Sequence, residues 1–286
     1  MKKKRYLTMS KVTINENFGS QMSNIAGLYS VAKRTGHRII FLDSWTMGHG
    51  LKLTIPFQGL PLDVLSPSEL TPVDQLANPY WINNKIIVDS QVYTLDSNLN
   101  WDIAGYFTSY RYWYPIRNDI FEMYTFNESI RKNANTMIQS ISVPGKEIVA
   151  VHVRRTDYLT ATIVDPTIDG YCLLNKDYYD RAFSFFPGDK YIFLIFSDDI
   201  PWCKSTFGER QNILYSDQKS PYIDMCAMSL CHHNIIANSS FSFWGALLNR
   251  RVDAKVICPF RYLAFDARLP HCNYGWFPDT WTPIVN

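Results

Sequence analysis

The sequence predicts an α/β protein with two successive halves, of which the first opens as an α/β unit and the second predicts a parallel β-sheet with helices on both faces. Short apolar strands alternate with helical stretches, most regularly in the second half, and this alternation is typical of parallel sheets buried on both sides. Polar clusters follow several of the strands, where such sheets bind their ligands. The break Val143-Pro144-Gly145 separates the halves, so we predict domains at 1–143 and 144–286.

The first half opens as a loop–helix–strand unit. A polar loop at 15–20 precedes an apolar run of helical spacing from Met22 to Arg34, and a short buried strand follows at 38–43. From Trp45 to about Asn100 the pattern is irregular and interrupted by prolines, so we assign few elements there. A single helix is predicted over 116–142, because its apolar residues recur at helical spacing.

The second half alternates more clearly. Strands are predicted over five short apolar segments, at 147–153, 191–196, 212–215, 234–237 and 255–258. Helices are predicted between or after them, at about 176–186, 201–207, 222–231 and 243–250. Polar clusters at 152–157, 197–199 and 238–242 each follow a strand. We therefore expect all three clusters in one crevice at the carboxyl edge of the sheet.

The composition is that of a globular protein of 286 residues, with 47% hydrophobic and 19% charged residues. The formal net charge of +2 provides no basic field, so we expect no nucleic-acid partner. Aromatic residues are numerous, with 18 Tyr, 17 Phe and 8 Trp. Most of them are expected in the core, although exposed ring faces would also suit a protein that binds sugars.

The first residues include the basic cluster Lys2–Arg5, as secretory signals do, but no apolar segment follows it in Tyr6–Glu16. No stretch approaches the roughly 18 consecutive apolar residues of a membrane span. We therefore expect a cytoplasmic protein with at most peripheral membrane association. Its six cysteines are expected to be free and mostly buried. A disulfide framework is the alternative explanation of their even number.

Two adjacent arginines, Arg154 and Arg155, follow the strand at 147–153. Arginine suits a diphosphate because its planar guanidinium stays ionised and donates paired, charge-assisted hydrogen bonds. Asp157 lies close enough in sequence to fix one guanidinium or to cap the next turn. The alternative is an ordinary surface Arg–Asp pair, which stabilises a protein by at most ~1 kcal/mol.

The second candidate cluster, Asn238-Ser239-Ser240-Phe241-Ser242, stands directly before a predicted helix. Small polar side chains there cap the helix and leave backbone N–H groups facing outward, where the helix dipole favours an anion. Helix capping alone is the alternative, although capping requires one such residue and not four. Gly245 is expected to let this helix pack closely on its neighbour.

Two further groups admit more than one interpretation. Ser197-Asp198-Asp199 follows a strand, and its carboxylates would suit a divalent metal, ribose hydroxyls or the N-cap of the next helix. Cysteines and histidines gather at Cys226, Cys231, His232 and His233, but their spacing does not match a zinc site, so no metal site is predicted. The glycine-rich phosphate loops, the serine-hydrolase elbow and the zinc-protease motif have no match in the sequence.

Together these segments resemble the α-1,2-fucosyltransferases, glycosyltransferase family eleven. The run Val151–Tyr158 is similar to the first motif of that family and to the corresponding motif of the α-1,6- and protein O-fucosyltransferases. Phe196–Lys204 resembles the second motif, and Asp224-Met225 with His233–Ala246 resembles the third. Gly105–Ser109 is similar to a glycine-tyrosine-phenylalanine-glutamine-serine stretch of many members. The matches extend from about residue 15 to 260.

The resemblance implies a GT-B-type architecture, two Rossmann-like domains with a cleft between them, and inverting, metal-independent transfer of L-fucose. The donor would be GDP-fucose, no further cofactor would be needed, and the acceptor would be a galactose-type hydroxyl of an oligosaccharide or glycolipid. The contact between the second arginine of the first motif and the β-phosphate falls on Arg155. The donor site would comprise nine residues: His152, Arg154, Arg155, Ser197, Asp198, Asn238, Ser239, Ser240 and Ser242.

The N-terminal domain would mainly hold the acceptor. Where the family usually has a glycine-rich opening, this chain has Glu16–Ser23, so acceptor choice or donor details are expected to differ. The predicted acceptor-side residues are Gly19, Gln21, Asp43 and Tyr106. The glutamate proposed as the base of the α-1,6 enzymes is matched by Thr162. Asp157 is therefore our first candidate for the catalytic base beside Arg155, and Asp43 is the second.

Two other functions would also account for parts of this sequence. A transferase of the same fold using another nucleotide-deoxysugar, such as GDP- or UDP-activated rhamnose, would present the same arginine and serine clusters, because these groups recognise phosphate. A non-catalytic glycan-binding protein would use the aromatic residues, but it would not need phosphate-binding clusters at strand ends. The sequence assigns neither the acceptor nor an oligomeric state.

Overall fold

The computed structural model describes residues 5–9, 17–42, 55–60, 63–65, 78–82, 88–164, 172–262 and 275–286. The chain forms two compact units, Met1–Asn127 with Tyr274–Trp276, and Glu128–Asn273 with Phe277–Asn286. This boundary lies before the predicted break at 143–145, because the helix Glu128–Ile141 packs against the helix Pro221–Leu230 of the second unit.

The first unit contains a five-stranded, wholly parallel sheet with the strand order β3-β2-β1-β5-β4. Its strands are β1 (Tyr6–Thr8), β2 (Arg38–Leu42), β3 (Asp63–Leu65), β4 (Asn78–Trp81) and β5 (Trp101–Ala104). Its helices are α1 (Phe18–Thr35) and α2 (Arg117–Met123), with short 3₁₀ turns at Ser90–Thr94, Tyr110–Tyr112 and Tyr114–Ile116. Of these strands the sequence predicted only β2, because the others are short and carry no clear alternation.

Helix α1 is buried along most of its length and ends at Gly36, whose φ of 76° is the left-handed conformation of a helix C-cap. Lys33 and Arg34 lie in the last turn, where cations interact favourably with the helix dipole. A Cβ atom at Gly27 would lie 2.1 Å from Cγ of Phe107. Glycine at this position therefore allows the buried Phe107 ring to pack directly against the helix backbone.

The second unit contains a six-stranded, wholly parallel sheet with the strand order β11-β10-β9-β6-β7-β8. Its strands are β6 (Glu147–Val153), β7 (Tyr191–Ser197), β8 (Ile213–Tyr215), β9 (His233–Ile235), β10 (Val256–Pro259) and β11 (Thr282–Ile284). Its helices are α3 (Glu128–Ile141), α4 (Thr156–Val164), α5 (Lys176–Phe183), α6 (Ile200–Phe207), α7 (Pro221–Leu230) and α8 (Ser240–Leu247). The predicted alternation of this half is confirmed, with α4 and β11 as additional elements.

The single helix predicted over 116–142 is wrong. Helix α2 ends at Met123 and α3 begins at Glu128. Between them Phe126 forms an antiparallel bridge with Phe57, and the two ring centroids lie 5.1 Å apart. The local periodicity is helical throughout, but pairing with a distant residue takes the backbone at Phe126 out of the helix.

The core of the second unit lies around β6 and β7, whose central residues are almost all buried. Helix α8 packs closely on α7, since a Cβ atom at Gly245 would lie 3.1 Å from Met228; this confirms the expectation for Gly245. Four of the described cysteines, Cys203, Cys226, Cys231 and Cys258, are buried free thiols, and burial raises the pKa of Cys203 to about 11. Among the described residues, neither a cluster suited to a metal ion nor a helix long and apolar enough to cross a membrane is found.

Two adjacent histidines hold the amino edge of this sheet. His232 Nδ1 accepts a hydrogen bond from the backbone N–H of Ile148 at 2.9 Å. His233 Nδ1 accepts one from the backbone N–H of Lys255 at 3.0 Å, and its Nε2 lies 3.1 Å from Glu147 Oε2. A backbone N–H can only donate, so both Nδ1 atoms must be unprotonated in the folded protein.

Stability is therefore expected to fall as the pH drops below about 6.5. Burial, with a smaller contribution from Arg251, lowers the pKa of His232 from 6.5. The unfolded chain then binds a proton that the folded chain resists, so this contribution is complete above pH 6.5 and is lost as the pH falls towards the lower folded pKa. Urea unfolding at pH 7.5 and 5.5 should show a loss of about 1 kcal/mol, the contribution of one hydrogen bond.

The matched variant is His232→Asn, whose side-chain oxygen can replace Nδ1 as the acceptor without titrating. It should unfold at nearly the same urea concentration as the wild type at pH 7.5 and show a smaller loss at pH 5.5. An unchanged pH dependence in this variant would contradict the role assigned to His232.

Candidate functional site

The three polar clusters predicted from the sequence follow β6, β7 and β9, which are neighbours in the sheet. Strand β6 lies between the other two, with Val153 aligned to Ser197 of β7 and Val151 aligned to Ile235 of β9. Because all three strands are parallel, their carboxyl ends lie at the same edge of the sheet. The structure thus brings the clusters together at one edge, as predicted.

Asp198 connects the first two clusters. Its Oδ1 accepts from the backbone N–H of Arg155 at 2.9 Å, and its Oδ2 accepts from the N–H and hydroxyl of Thr156 at 3.1 and 2.6 Å. Burial by itself raises the pKa of Asp198, but the Thr156 hydrogen bond, the Arg154 charge and the Arg155 N–H outweigh it and lower that pKa. Asp198 thus caps helix α4 across the sheet, as an ionised carboxylate.

Asp199 caps the helix that follows it in sequence. Its Oδ1 accepts from the backbone N–H of Trp202 at 3.1 Å, at the start of α6. The N-cap interpretation of the Ser197-Asp198-Asp199 segment is therefore confirmed for Asp199. For Asp198 the cap is real, but the capped helix is α4, which the sequence did not predict.

Arg154 is held by two carboxylates. Its Nη2 donates to Asp157 Oδ2 at 2.8 Å, and its Nη1 lies 3.3 Å from Asp198 Oδ2. Both terminal nitrogens of this guanidinium therefore already face protein oxygens.

Arg155 is held differently, through its Nε and the face of its guanidinium. Nε lies 3.4 Å from Asp199 Oδ2, and Cζ lies 3.9 Å from the centre of the Trp202 ring. Within the described part of the chain, no residue accepts a hydrogen bond from Nη1 or Nη2 of Arg155, whose side chain is 12% exposed. These paired donors can therefore hold an anion in the bidentate manner typical of arginine.

Asp157 lies in the first turn of α4. Its Oδ2 holds Arg154, and its Oδ1 is buried without a hydrogen-bond partner among the described residues. A general base needs an oxygen that the acceptor hydroxyl can reach. This geometry suits a residue that orients Arg154, and the assignment of Asp157 as the base stays a prediction.

The serine-rich segment is largely occupied with its own structure. Ser239 caps α8 by accepting from the N–H of Phe241 at 3.3 Å, and the buried Ser242 hydroxyl lies 3.2 Å from the Ser239 carbonyl. Asn238 donates to two loop carbonyls, those of Cys172 and Tyr262. The partly buried Ser240 begins the helix, so an anion here would meet mainly the first turn of α8.

His152 is buried beside the arginines, with 4% of its surface exposed and its ring centre 5.4 Å from that of Phe241. Its Nδ1 has no hydrogen-bond partner within the described residues. Burial first, and then the charge of Arg154, lower its pKa. His152 is therefore a neutral imidazole at neutral pH and does not act as a third cation.

Formal charge alone does not make this site attractive to an anion. The two arginines are opposed by three aspartates that contact them, Asp157, Asp198 and Asp199. The group therefore carries a formal charge of −1 when its members are ionised. Because Asp198 already caps the N-terminus of α4, anion binding here must depend on the Arg155 guanidinium and the N-terminus of α8.

Three of the four predicted acceptor-side residues, Gly19, Gln21 and Tyr106, lie in the described part of the first unit. Gly19 and Gln21 are buried in the first turn of α1, so the loop predicted there is wrong from Phe18 onward, and their acceptor-side role stays a prediction. The helix begins earlier than predicted because the polar residues of its first turn are covered inside the unit. Tyr106 follows β5 and is 38% exposed. Asp43 lies outside the described residues.

The turn before Tyr106 requires glycine. Gly105 has a φ of 111°, and a Cβ atom there would lie 2.8 Å from the carbonyl oxygen of Ile82. Trp81, which is 59% exposed at the carboxyl end of β4, is aligned with Ala104 of β5. The sequence did not single out Trp81, because it lies in the irregular, proline-interrupted stretch. The exposure of Trp81 points to a role only once the pairing of β4 with β5 places it near Tyr106, which follows β5.

Asp224, like Trp81, has no chemical role predicted from the sequence. It lies in the first turn of α7, and its Oδ1 accepts from the hydroxyl of Ser216, which follows β8, at 2.7 Å. Burial raises the pKa of Asp224 to about 7. A carboxyl group near the carboxyl end of β8 is thus partly protonated at neutral pH.

The sequence matches that of known proteins over most of its length. A family model described as Glycosyl transferase family 11 matches residues 1–268. The chain is 31% identical over 156 residues to O-antigen biosynthesis glycosyltransferase WbnK of Escherichia coli, covering 52% of this chain and 50% of the relative. It is 26% identical over 250 residues to Galactoside 2-alpha-L-fucosyltransferase SEC1 of Bos taurus, covering 82% and 64%.

An Alpha-1,2-colitosyltransferase of Escherichia coli is 30% identical over 153 residues, covering 51% of each chain. The chain thus spans about half to two thirds of the length of these relatives. Among solved structures, the NodZ alpha-1,6-fucosyltransferase soaked with GDP-fucose matches with a TM-score of 0.55 at 17% identity, over 86% of this chain and 93% of NodZ. This likeness confirms the predicted α/β fold of the GT-B type.

Proposed function

Because this chain belongs to glycosyl transferase family 11, we propose that it transfers L-fucose from GDP-fucose to a galactose-type hydroxyl of a glycan. We further propose that the transfer inverts the anomeric centre and needs no metal ion. The observation that carries the proposal is the Arg155 guanidinium, whose Nη1 and Nη2 have no acceptor among the described residues. It lies at the strand edge where α4 and α8 begin.

The GDP diphosphate is the leaving group, and its negative charge grows as the bond to the sugar breaks. Arg155 would bind it with two parallel hydrogen bonds, and the first turn of α8 would add backbone N–H groups and the positive end of the helix dipole. Donors fixed in advance stabilise developing charge without reorganising, which is the largest contribution in many enzymes. This arrangement supports transfer in which protein groups take the role that a metal ion has elsewhere.

Inverting transfer also requires a base for the acceptor hydroxyl. Only Oδ2 of Asp157 could serve as this base, because its Oδ1 is buried, and Oδ2 already accepts a hydrogen bond from Arg154. We therefore propose that Asp157 mainly orients Arg154, and Asp43 stays the second candidate for the base.

We assign the acceptor to the first unit. Trp81 and Tyr106 are exposed by 59% and 38% at the carboxyl ends of neighbouring strands. Aromatic faces of this kind pack against the apolar C–H faces of sugars. The second unit would then bind the donor and the first the glycan, as the family resemblance implies.

A second donor is favoured by one specific observation, the likeness to a colitosyltransferase. Colitose is a deoxysugar like L-fucose, and Arg155 and the N-terminus of α8 would contact only the phosphates, so they would serve either nucleotide-sugar. A purely glycan-binding function has no comparable support, since the groups suited to binding a diphosphate at the strand edge would then have no use.

The proposal is tested by incubating the purified protein with a panel of nucleotide-sugars and a galactoside, with and without EDTA. We expect GDP release and transfer from GDP-fucose, unaffected by EDTA, and an α-linked product by NMR spectroscopy. Turnover only with another deoxysugar nucleotide would replace the donor. Loss of activity in EDTA, restored by a divalent cation, would overturn metal independence. Calorimetric titration with GDP that releases no heat would contradict the proposal as a whole.

A further inference from the structure

We propose that Trp202 is a positioning residue that orients Arg155 for binding the donor diphosphate. The face of its indole ring and the Asp199 carboxylate together fix the guanidinium of Arg155, so that Nη1 and Nη2 point towards the phosphate. This inference rests on the proposed function, since it concerns the same arginine.

The contact is specific to one of the two arginines. Cζ of Arg155 lies 3.9 Å from the centre of the Trp202 ring, whereas Cζ of Arg154 lies 6.0 Å from the centre of the Tyr158 ring. A guanidinium donates hydrogen bonds from its edge and stacks through its face, so a stacked arginine keeps its donors. The terminal nitrogens of Arg154 instead contact carboxylates, those of Asp157 and Asp198.

A single carboxylate fixes the arginine and the helix that carries the ring. Asp199 Oδ1 accepts from the backbone N–H of Trp202 at 3.1 Å, and Oδ2 lies 3.4 Å from Nε of Arg155. This leaves Nη1 and Nη2 as the outer, paired end of the guanidinium. The position of Arg155 is therefore tied to the first turn of α6.

The Trp202 ring packs against the core of the second unit. Trp202 makes an edge contact with Phe207, the last residue of α6, with the ring centres 5.8 Å apart. Phe207 is 3% exposed and belongs to the core of the second unit. The indole thus connects the arginine to the packed core, which limits its rotation before the ligand arrives.

Fixing a flexible side chain in its binding geometry before the ligand arrives strengthens binding, because less freedom is lost on association. Trp202→Leu removes the ring face but retains apolar volume against the core. We expect it to weaken GDP binding about tenfold, within the range of cation–π contacts. Trp202→Phe retains a ring face and should weaken binding no more than about threefold.

The experiment is calorimetric titration of the full chain with GDP, using wild type, Trp202→Leu, Trp202→Phe, Arg155→Ala and the double variant Trp202→Leu/Arg155→Ala. If Trp202 acts through Arg155, its substitution should have no further effect once Arg155 is gone. The KM for the donor should rise in Trp202→Leu, while the KM for the acceptor stays unchanged. Trp101→Leu, the same change at the amino end of β5 in the first unit, is the matched control and should bind GDP like the wild type.

Wild-type GDP affinity in Trp202→Leu would overturn the inference and leave the proposed function standing. An equal loss with and without Arg155 would also overturn it, because the tryptophan would then act on the fold and not on the arginine. Absence of GDP binding in the wild type would instead remove the proposed function. If Trp202→Leu melts below the assay temperature, Trp202→Met fills similar space without a ring and gives the same comparison.

Discussion

Replacing Arg155 by alanine is expected to reduce kcat/KM for the donor at least about a hundredfold, the loss seen when a charge-stabilising donor is removed from an active site. The side chain contributes the paired donors that lack an acceptor among the described residues. Within the described site, Arg154 already uses both terminal nitrogens on carboxylates, whereas those of Arg155 are available. Without Arg155, the charge that develops on the diphosphate therefore has no available guanidinium to stabilise it. Steady-state kinetics with GDP-fucose measures this loss directly.

The fold is expected to survive the change. Asp198 accepts from the backbone N–H of Arg155 at 2.9 Å, and alanine retains that group. Thermal unfolding of the variant should therefore lie close to that of the wild type. Arg155→Lys is the matched control, since it keeps the charge but loses the planar pair of donors, and should recover only part of the activity. Near wild-type turnover in Arg155→Ala would remove Arg155 from the mechanism.

Asp198→Ala is expected to lower the free energy of unfolding by about 3 kcal/mol at pH 7. The carboxylate caps α4 through two backbone N–H groups and also accepts from the Thr156 hydroxyl. A lost N-cap costs about 1 kcal/mol, and partly buried donors left without partners add about 1–3 kcal/mol. Urea unfolding measures the change, and donor turnover should fall with it because Arg154 also loses a partner.

The effect has a pH dependence whose sign follows from the lowered pKa of Asp198. The stabilisation is present above the ordinary value of 3.8 and is lost as the pH falls through the lower folded pKa, when the carboxylate is protonated. The difference between wild type and Asp198→Ala should therefore shrink towards pH 3. Asp198→Asn is the control, because it keeps one acceptor oxygen and should lose less stability. A difference that is constant from pH 7 to pH 3 would mean that the carboxylate charge is not involved.

Much of the second unit could be predicted from the sequence because its signals are local. The strands β6 and β7 are continuous apolar runs, and the polar residues begin where those runs end. The prediction of a single helix at 116–142 was wrong because its interruption is not local: the bridge that ends it joins Phe126 to Phe57, far away in the chain. Strand β4 and the exposed Trp81 were missed because a short strand without alternation becomes visible only through its partner.

The arginine pair shows most clearly where sequence reasoning ended. The two residues are identical in type and adjacent in sequence, so residue chemistry alone did not separate them, and only the family resemblance favoured Arg155. The structure distinguishes them by their neighbours: Arg154 is held by Asp157 and Asp198, and Arg155 by Asp199 and Trp202.

The sequence by itself determined the α/β class, the three polar clusters at strand ends and the arginine chemistry suited to a diphosphate. These features depend on periodicity and residue type, which are properties of short segments. Only the tertiary structure decided that Asp198 caps α4 across the sheet and that Trp202 stacks on Arg155. Both contacts join a residue that follows β6 to one that follows β7, more than forty positions later in the sequence. The order of the strands in the sheet brings these residues together, and no local sequence pattern encodes that order.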